Sequence, residues 1–381
     1  MSAREAIRAA LDARNAHWVD PPVLQPAALY LELSGEDIRR RAFLVADDAG
    51  EMCLRPDMTV PAIRVALAHK AVGVIAYEGL VFRRQAKGSA RESEFVQIGA
   101  EWLGRAEDAD ILACALEACR AAGVEPKTRL GDLALVSAFA ESFHFAKPWD
   151  ARVKRALARP GGLEALKAEI AADASGEGAA LADALAAVPE AEAEAALADM
   201  LAAARITPVG GRSLADIARR LRARGEAHRA PKPKAAELAA LAAFMEIDAP
   251  AAGAAAALAK LPANKEAKQA IEAAAARLEK LNAADAPKDA RFAPGLGRGL
   301  SYYDGFVFEF EAPSLGEQAS LGGGGRYDGL VRSLAAHEMA PERVRIRIGE
   351  VTMGFAESRD AVGAGFALRP ARLALAAGGG A

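Results

Sequence analysis

The stretch Glu94-Phe95-Val96-Gln97-Ile98-Gly99-Ala100-Glu101-Trp102-Leu103 alternates residue by residue. Successive side chains of a strand face opposite sides of its sheet. Phe95, Gln97, Gly99 and Glu101 therefore share one face, and Val96, Ile98, Ala100 and Trp102 the other. The second face is apolar. The first places an amide and a carboxylate on either side of a glycine, whose missing side chain is expected to leave space above the sheet for a small polar ligand. Working outward, Val72 to Phe82 reads as a neighbouring strand, and Val60 to Ala71 and Asp108 to Ala122 read as helices. Ala42 to Ala46 and Glu51 to Leu54 flank the turn Asp47-Asp48-Ala49-Gly50, a hairpin signal. Ser2 and Glu5 form a capping box ahead of Ile7 and Leu11 and open the chain with an amphipathic helix. Far downstream, Tyr302 to Phe310 alternates again, with Tyr302, Phe306, Phe308 and Phe310 on one face and Tyr303, Gly305, Val307 and Glu309 on the other.

Between these strand-bearing blocks the sequence changes character. From about residue 140 to 285 it is alanine-rich and helical, with apolar spacing at Leu214, Ile217 and Leu221 and at Leu238, Leu241 and Phe244. The expected organisation is a core from 1–135 and 290–381, interrupted by a helical insertion over 136–289. The 381 residues carry 48 Lys and Arg against 51 Asp and Glu, a net charge of −3. That balance argues against wholesale binding to nucleic acid or an acidic membrane, which needs a basic surface. Three cysteines with no Cys-x-x-Cys or Cys/His cluster rule out a disulfide framework and offer no zinc site. No uncharged apolar run reaches the roughly 18 residues that span a bilayer. The expectation is a cytoplasmic protein without metal, cofactor, nucleic acid or membrane partner.

Several short constellations carry possible chemistry. In Arg55-Pro56-Asp57-Met58-Thr59 the aspartate sits where a hairpin hands over to a helix, able to cap that helix or to aim a carboxylate into a cleft. Phe82-Arg83-Arg84-Gln85 ends a strand with two guanidinium groups, which suit a phosphate or carboxylate. Gly297-Arg298-Gly299-Leu300-Ser301-Tyr302-Tyr303 places an arginine between glycines before paired tyrosines. Gly322 to Gly325, ahead of Arg326-Tyr327, lacks the Lys-Ser/Thr of a P-loop, and is expected to let a backbone or ligand approach a strand. Asp47-Asp48 has the acids of a phosphoribosyl-diphosphate loop, but Glu51-Met52-Cys53 follows instead of a Thr/Gly-rich turn.

Taken together, these motifs resemble the catalytic core of histidyl-tRNA synthetase, a class II synthetase. Leu54-Arg55-Pro56-Asp57-Met58-Thr59 is similar to that family's Leu-Arg-Pro-Glu-x-Thr, and Phe82-Arg83-Arg84-Gln85 with Gln97-x-x-x-Glu101 to its motif 2. Arg298-Gly299-Leu300-Ser301-Tyr302-Tyr303 resembles Arg-Gly-Leu-Asp-Tyr-Tyr, and Gly324 to Gly329 matches Gly-Gly-Arg-Tyr-Asp-Gly. The segment from Gly365 to Leu373 resembles a degraded motif 3: Arg369 stands where the family has a glycine that leaves room for ATP, Ala371 where it has a glutamate, and Arg372 is kept. Motif 2 normally has a glutamate at the position of Gln85. A sequence that keeps the histidine pocket and loses the ATP and tRNA elements resembles the regulatory subunits of ATP phosphoribosyltransferase, paralogues of the synthetase.

That resemblance implies an α+β fold: a class II synthetase-like antiparallel sheet flanked by helices, with an Ala-rich helical insertion and no anticodon-binding domain. It implies a non-catalytic subunit, required with the short-form catalytic subunit for the first step of histidine biosynthesis and for its feedback inhibition. L-histidine would be the ligand. Asp57 and Glu101 would engage its amino group or imidazole; Thr59, Gln97, Tyr302, Tyr303 and Tyr327 would line the pocket; Arg298 would face the carboxylate and Arg83 an anion. A homodimer formed through Pro21 to Glu32, inside a hetero-oligomer, is implied as well. The rival reading is a truncated synthetase-like enzyme that forms histidyl-adenylate or aminoacylates a target other than tRNA.

Overall fold

In the computed structural model the described residues are 1–30, 41–47, 50–89, 91–157, 161–172, 179–206, 213–261, 263–283, 287–296, 302–336, 345–347 and 362–378. Two compact units emerge. One comprises Met1–Leu135, Ile247–Lys260 and Ile271–Ala381, the other Val136–Glu246 and Leu261–Ala270.

The first unit is built on a sheet. Its chain opens with α1 (Ala3–Asp12), whose Ser2/Glu5 capping box is formed in both directions. Strands β1 (His17–Asp20), β2 (Leu24–Pro26), β3 (Phe43–Asp47) and β4 (Gly50–Leu54) follow. Helix α2 (Thr59–Ala68) leads to β5 (Gly73–Phe82), β6 (Glu94–Leu103), α3 (Asp108–Ala121) and β7 (Lys127–Asp132). After the helical unit come β8 (Ala249–Pro250), β9 (Arg291–Phe292), β10 (Phe306–Glu311), β11 (Ser320–Arg326), α4 (Asp328–Ala336), β12 (Arg345–Arg347), β13 (Gly363–Leu368) and α5 (Pro370–Ala376). Among the described residues the main sheet runs β12-β1-β5-β6-β13-β11-β10-β7-β9-β8, and β2-β4-β3 forms a small second sheet.

Six central strands, β5 to β7 in sheet order, pair antiparallel. The expected antiparallel sheet is mixed at its margins, because β1 runs parallel to β5 and β9 parallel to β7. Both parallel pairs are separated in sequence by long connections that contain helices, the route a parallel neighbour requires. The register aligns one residue per strand on each face. Tyr77, Gly99, Ala367, Gly323, Glu309 and Arg129 form one row, and Ile75, Glu101, Gly365, Gly325, Val307 and Gly131 the next. Both rows share a face, and at β13 and β11 they hold only Ala367, Gly323, Gly365 and Gly325, so the sheet is shallow there.

On that face α2 and α4 pack around Tyr77, burying Ile63, Val65, Ile75, Val81, Leu330 and Leu334. On the other face α1 and α3 bury Ile7, Leu11, Leu112 and Ala115, next to Ile98 and Ala100 of β6. Each such aliphatic side chain contributes about 1.5–3 kcal/mol on burial.

The second unit is helical. Phe139 stacks on Phe244 at 4.3 Å, and the Trp149 indole donates to the Ala227 carbonyl at 3.1 Å. Leu185, Ala193, Leu197 and Ala218 form a small core, with Leu214, Ile217 and Leu221 packed against it.

One local expectation changes. Tyr302 and Tyr303 lie ahead of the strand, which begins at Phe306. Asp304 decides this: its backbone N–H donates to the Arg326 carbonyl at 3.0 Å, and its carboxylate accepts from the Asp328 and Gly329 N–H groups opening α4. Turn chemistry overrides the alternation. The four glycines, expected to let a backbone or ligand approach a strand, form the middle of β11, where a Cβ at Gly323 or Gly324 would meet the backbone of a neighbouring strand.

Candidate functional site

Over the shallow part of the sheet lies a cavity of about 260 Å³. Of the nine residues singled out in the sequence, Asp57, Thr59, Arg83, Gln97, Tyr302 and Tyr303 line it. Glu101 and Tyr327 lie against this group but do not form its wall. Arg298 lies outside the described residues. Arg41, Glu309, Ser320 and Arg369 also line the cavity, and the sequence reading had not placed Arg41, Glu309 or Ser320 at a site. The signal for Glu309 was a carboxylate set among Phe306, Phe308 and Phe310.

Asp57 sits just ahead of α2, because the β4 hairpin strand ends three residues earlier, at Leu54, and Pro56 breaks it. Its Oδ1 accepts from the Val60 N–H at 3.2 Å, so it does cap the helix. Its Oδ2 is buried and has no hydrogen-bond partner. Burial pushes its carboxyl pKa up, opposed by the charge of Arg83 and by backbone N–H groups. Gln97 Oε1, on β6, is also buried without a partner. Two acceptors aimed at one cavity, neither satisfied, are costly by themselves. A ligand bearing N–H donors removes that cost.

Glu101 is fully buried two positions further along β6. Tyr77 donates to its Oε1 at 2.7 Å and Tyr327 donates to its Oε2. Thr59 adds a third hydroxyl to the same carboxylate. Burial is the main cause that drives the Glu101 pKa up to about 7, against the pull of these hydroxyls. Gly365 stands opposite Glu101 in the register, and a Cβ there would run into that carboxylate. Gly99 has a different part from the one expected. The space its side chain would take is filled by β13, a Cβ there lying 2.8 Å from Ala367 Cα. The glycine lets two strands close up and leaves no room for a ligand.

The tyrosines form an aromatic wall. Tyr302 lies 4.9 Å from Tyr303 and meets Tyr327 edge-on at 5.9 Å. Two cations share one ring. Arg83 donates from Nε to the Pro56 carbonyl at 2.7 Å and lies over Phe95 at 5.3 Å. Arg369 lies over the same ring at 3.8 Å. Burial, then the charges of Arg372 and Arg83, lower its pKa to about 9. Arg372 itself turns away, donating to the Ser320 carbonyl at 3.1 Å and approaching Glu92 at 3.6 Å. The site therefore combines unsatisfied acceptors with the guanidinium groups of Arg83 and Arg369. Among the described residues no cluster of His, Cys, Asp and Glu is placed to hold a metal ion.

This geometry has relatives. The family model described as histidyl-tRNA synthetase matches residues 2–230 and 216–341. A protein of Brucella anthropi named ATP phosphoribosyltransferase regulatory subunit is 35% identical over 369 residues, covering 91% of this chain and 96% of that one. The chain belongs to the family of ATP phosphoribosyltransferase regulatory subunits. A homologue of the same name from Brucella canis is 33% identical over 352 residues, covering 88% of this chain and 92% of that one. A solved structure from Bacillus halodurans, described as an ATP phosphoribosyltransferase regulatory subunit/histidyl-tRNA synthetase, aligns with a TM-score of 0.59 at 19% identity, covering 98% of this chain and 78% of that one. The fold is thus the class II synthetase-like α+β fold that the motifs implied. The family is named for a regulatory, non-catalytic subunit.

Proposed function

We propose that this chain is the regulatory subunit that works with the short-form catalytic subunit of ATP phosphoribosyltransferase, in the cytoplasm, and that it senses L-histidine in the cavity over β6. The observation that carries the reading is the pair of buried, unpartnered acceptors, Asp57 Oδ2 and Gln97 Oε1, facing the same cavity as Arg83 and Arg369. An amino acid with a ring N–H matches this arrangement: its ammonium and imidazole donate to the acceptors, and its carboxylate meets the guanidinium groups. Glu101 holds the network from beneath, and Arg298 is assigned to the carboxylate by the motif it belongs to. Catalytic activity of the partner, and its inhibition by histidine, would both depend on this chain.

A homodimer fits the small sheet. Leu24, Pro26, Phe43, Val45, Met52 and Leu54 share one of its faces by register, and Leu24 and Val45 are exposed there at 47% and 38%. Leu24 and Pro26 of that face belong to the region expected to pair, Pro21 to Glu32, whose last two residues lie outside the described residues.

The adenylate-forming alternative is disfavoured by Arg369, which occupies the Phe95 ring, and by Arg372, which does not line the cavity. Calorimetric titration with L-histidine tests the reading. Saturable binding is expected, weakened at least tenfold in Asp57→Asn and in Gln97→Leu. Binding that both substitutions leave unchanged places the histidine site elsewhere.

A further inference from the structure

Glu101 is the one buried carboxylate of this region that touches the network from below the cavity floor. Every element packed on it presents a hydroxyl or another acid: Tyr77 from β5, Thr59 and Asp57 from the start of α2, Tyr302 and Tyr303 from the segment before β10, and Tyr327 from the end of β11. The opposing strand β13 offers only the bare backbone of Gly365. Arg83 is the cation of this neighbourhood, and its charge acts on Asp57 and Tyr303. Glu101 is thus held in a hydroxyl lattice, with Asp57 as a second buried acid whose charge is felt at Glu101.

The lattice accommodates either protonation state of Glu101. An ionised carboxylate accepts from Tyr77 and Tyr327. A protonated one needs an acceptor, and the Tyr77 oxygen supplies it, because that hydroxyl also lies 3.4 Å from the Phe366 carbonyl and can redirect its own proton there. Thr59 both lines the cavity and reaches Glu101, so it joins the two.

We infer that Glu101 holds a proton that the cationic group of a bound ligand displaces, so that this chain releases a proton on binding. The inference rests on the proposed histidine site. A positive charge at Asp57 and Thr59 favours the ionised form of the carboxylate just below. Affinity then rises with pH through neutrality and levels off above it, once Glu101 is already ionised in the free protein. Glu101 is a positioning residue here. It acts on the ligand through Thr59 and the tyrosines.

The experiment is calorimetric titration of the full chain with L-histidine at pH 7.0, in buffers of different ionisation enthalpy, which counts protons exchanged. The wild type is expected to release about half a proton more than Glu101→Gln, since a group with a pKa near the working pH is half protonated. The ligand's own titration is common to both and cancels in the difference. Tyr77→Phe removes a donor to the ionised carboxylate. It is expected to keep binding while its proton release peaks at higher pH, and it decides the matter if Glu101→Gln does not bind. Binding with equal proton counts in wild type and Glu101→Gln, or an unmoved peak in Tyr77→Phe, overturns the inference alone. Absence of any histidine binding by the wild type overturns the reading beneath it.

Discussion

The guanidinium of Arg369 lies over the ring of Phe95, 3.8 Å from its centroid. It takes an aromatic face, and Arg83 lies over the same ring at 5.3 Å. The contact is strained electrostatically, because burial and the charges of Arg372 and Arg83 lower the Arg369 pKa to about 9 from the ordinary arginine value. The charged form is thus disfavoured by folding. Its cost is full below pH 9 and fades as pH rises through 9, when the folded protein can shed the proton. Arg369→Met is therefore expected to raise Tm at pH 7 by a few degrees, and by less at pH 10. The lost ring contact, worth about 0.5–2 kcal/mol, acts the other way. A lower Tm at pH 7 would show that it dominates.

Glu101 makes an opposite kind of prediction. Its pKa is raised to about 7 from an ordinary value of 4.5, chiefly by burial. The folded protein binds more protons than the unfolded chain between those values, so this group costs stability as pH rises from 4.5 to 7, and the cost is complete above 7. Glu101→Gln keeps the shape and carries no charge. The difference in Tm between variant and wild type should grow from pH 5 to pH 7.5 in favour of the variant, as read by differential scanning calorimetry. A difference independent of pH would mean that Glu101 is already ionised at pH 5.

Much of this architecture was legible because its signals are local. The alternation over Glu94–Leu103, the capping box at Ser2 and Glu5, and the hairpin at Phe43–Leu54 each depend on residues a few positions apart. The readings that changed depend on contacts remote in sequence. Tyr302 leaves the strand pattern because Asp304 bonds to the start of a helix more than twenty residues on. Gly99 serves strand β13, a neighbour not visible from its own segment. Arg41 and Glu309 reach the cavity only through the folding of distant segments. Asp57 showed both of its possible parts in the sequence, and the structure gives one oxygen to each.

Gly365→Ala tests the fit between β13 and Glu101. A Cβ at this position meets the Glu101 carboxylate and the backbone of β6. Backbone cannot yield easily, so the substitution should destabilise by about 1–3 kcal/mol and weaken histidine binding together. Denaturant unfolding and calorimetry read the two effects. Stability and binding both equal to wild type would mean that the strands separate freely there.

The exposed face of the small sheet predicts assembly. Val45→Glu and Leu24→Glu each place a charge on the apolar row shared with Phe43 and Leu54. Each is expected to convert a dimer to a monomer in light scattering after size exclusion, with the far-UV circular dichroism unchanged. Charge there is costly in an interface and harmless on a free surface. A dimer that survives both substitutions pairs through another surface.

The most direct test of the central claim mixes this chain with the short-form ATP phosphoribosyltransferase subunit and follows phosphoribosyl-ATP formation with and without histidine. The account predicts activity that needs both chains, and inhibition by histidine that is blunted when Asp57→Asn replaces the wild type. Full activity and unchanged inhibition by histidine without this chain would contradict it.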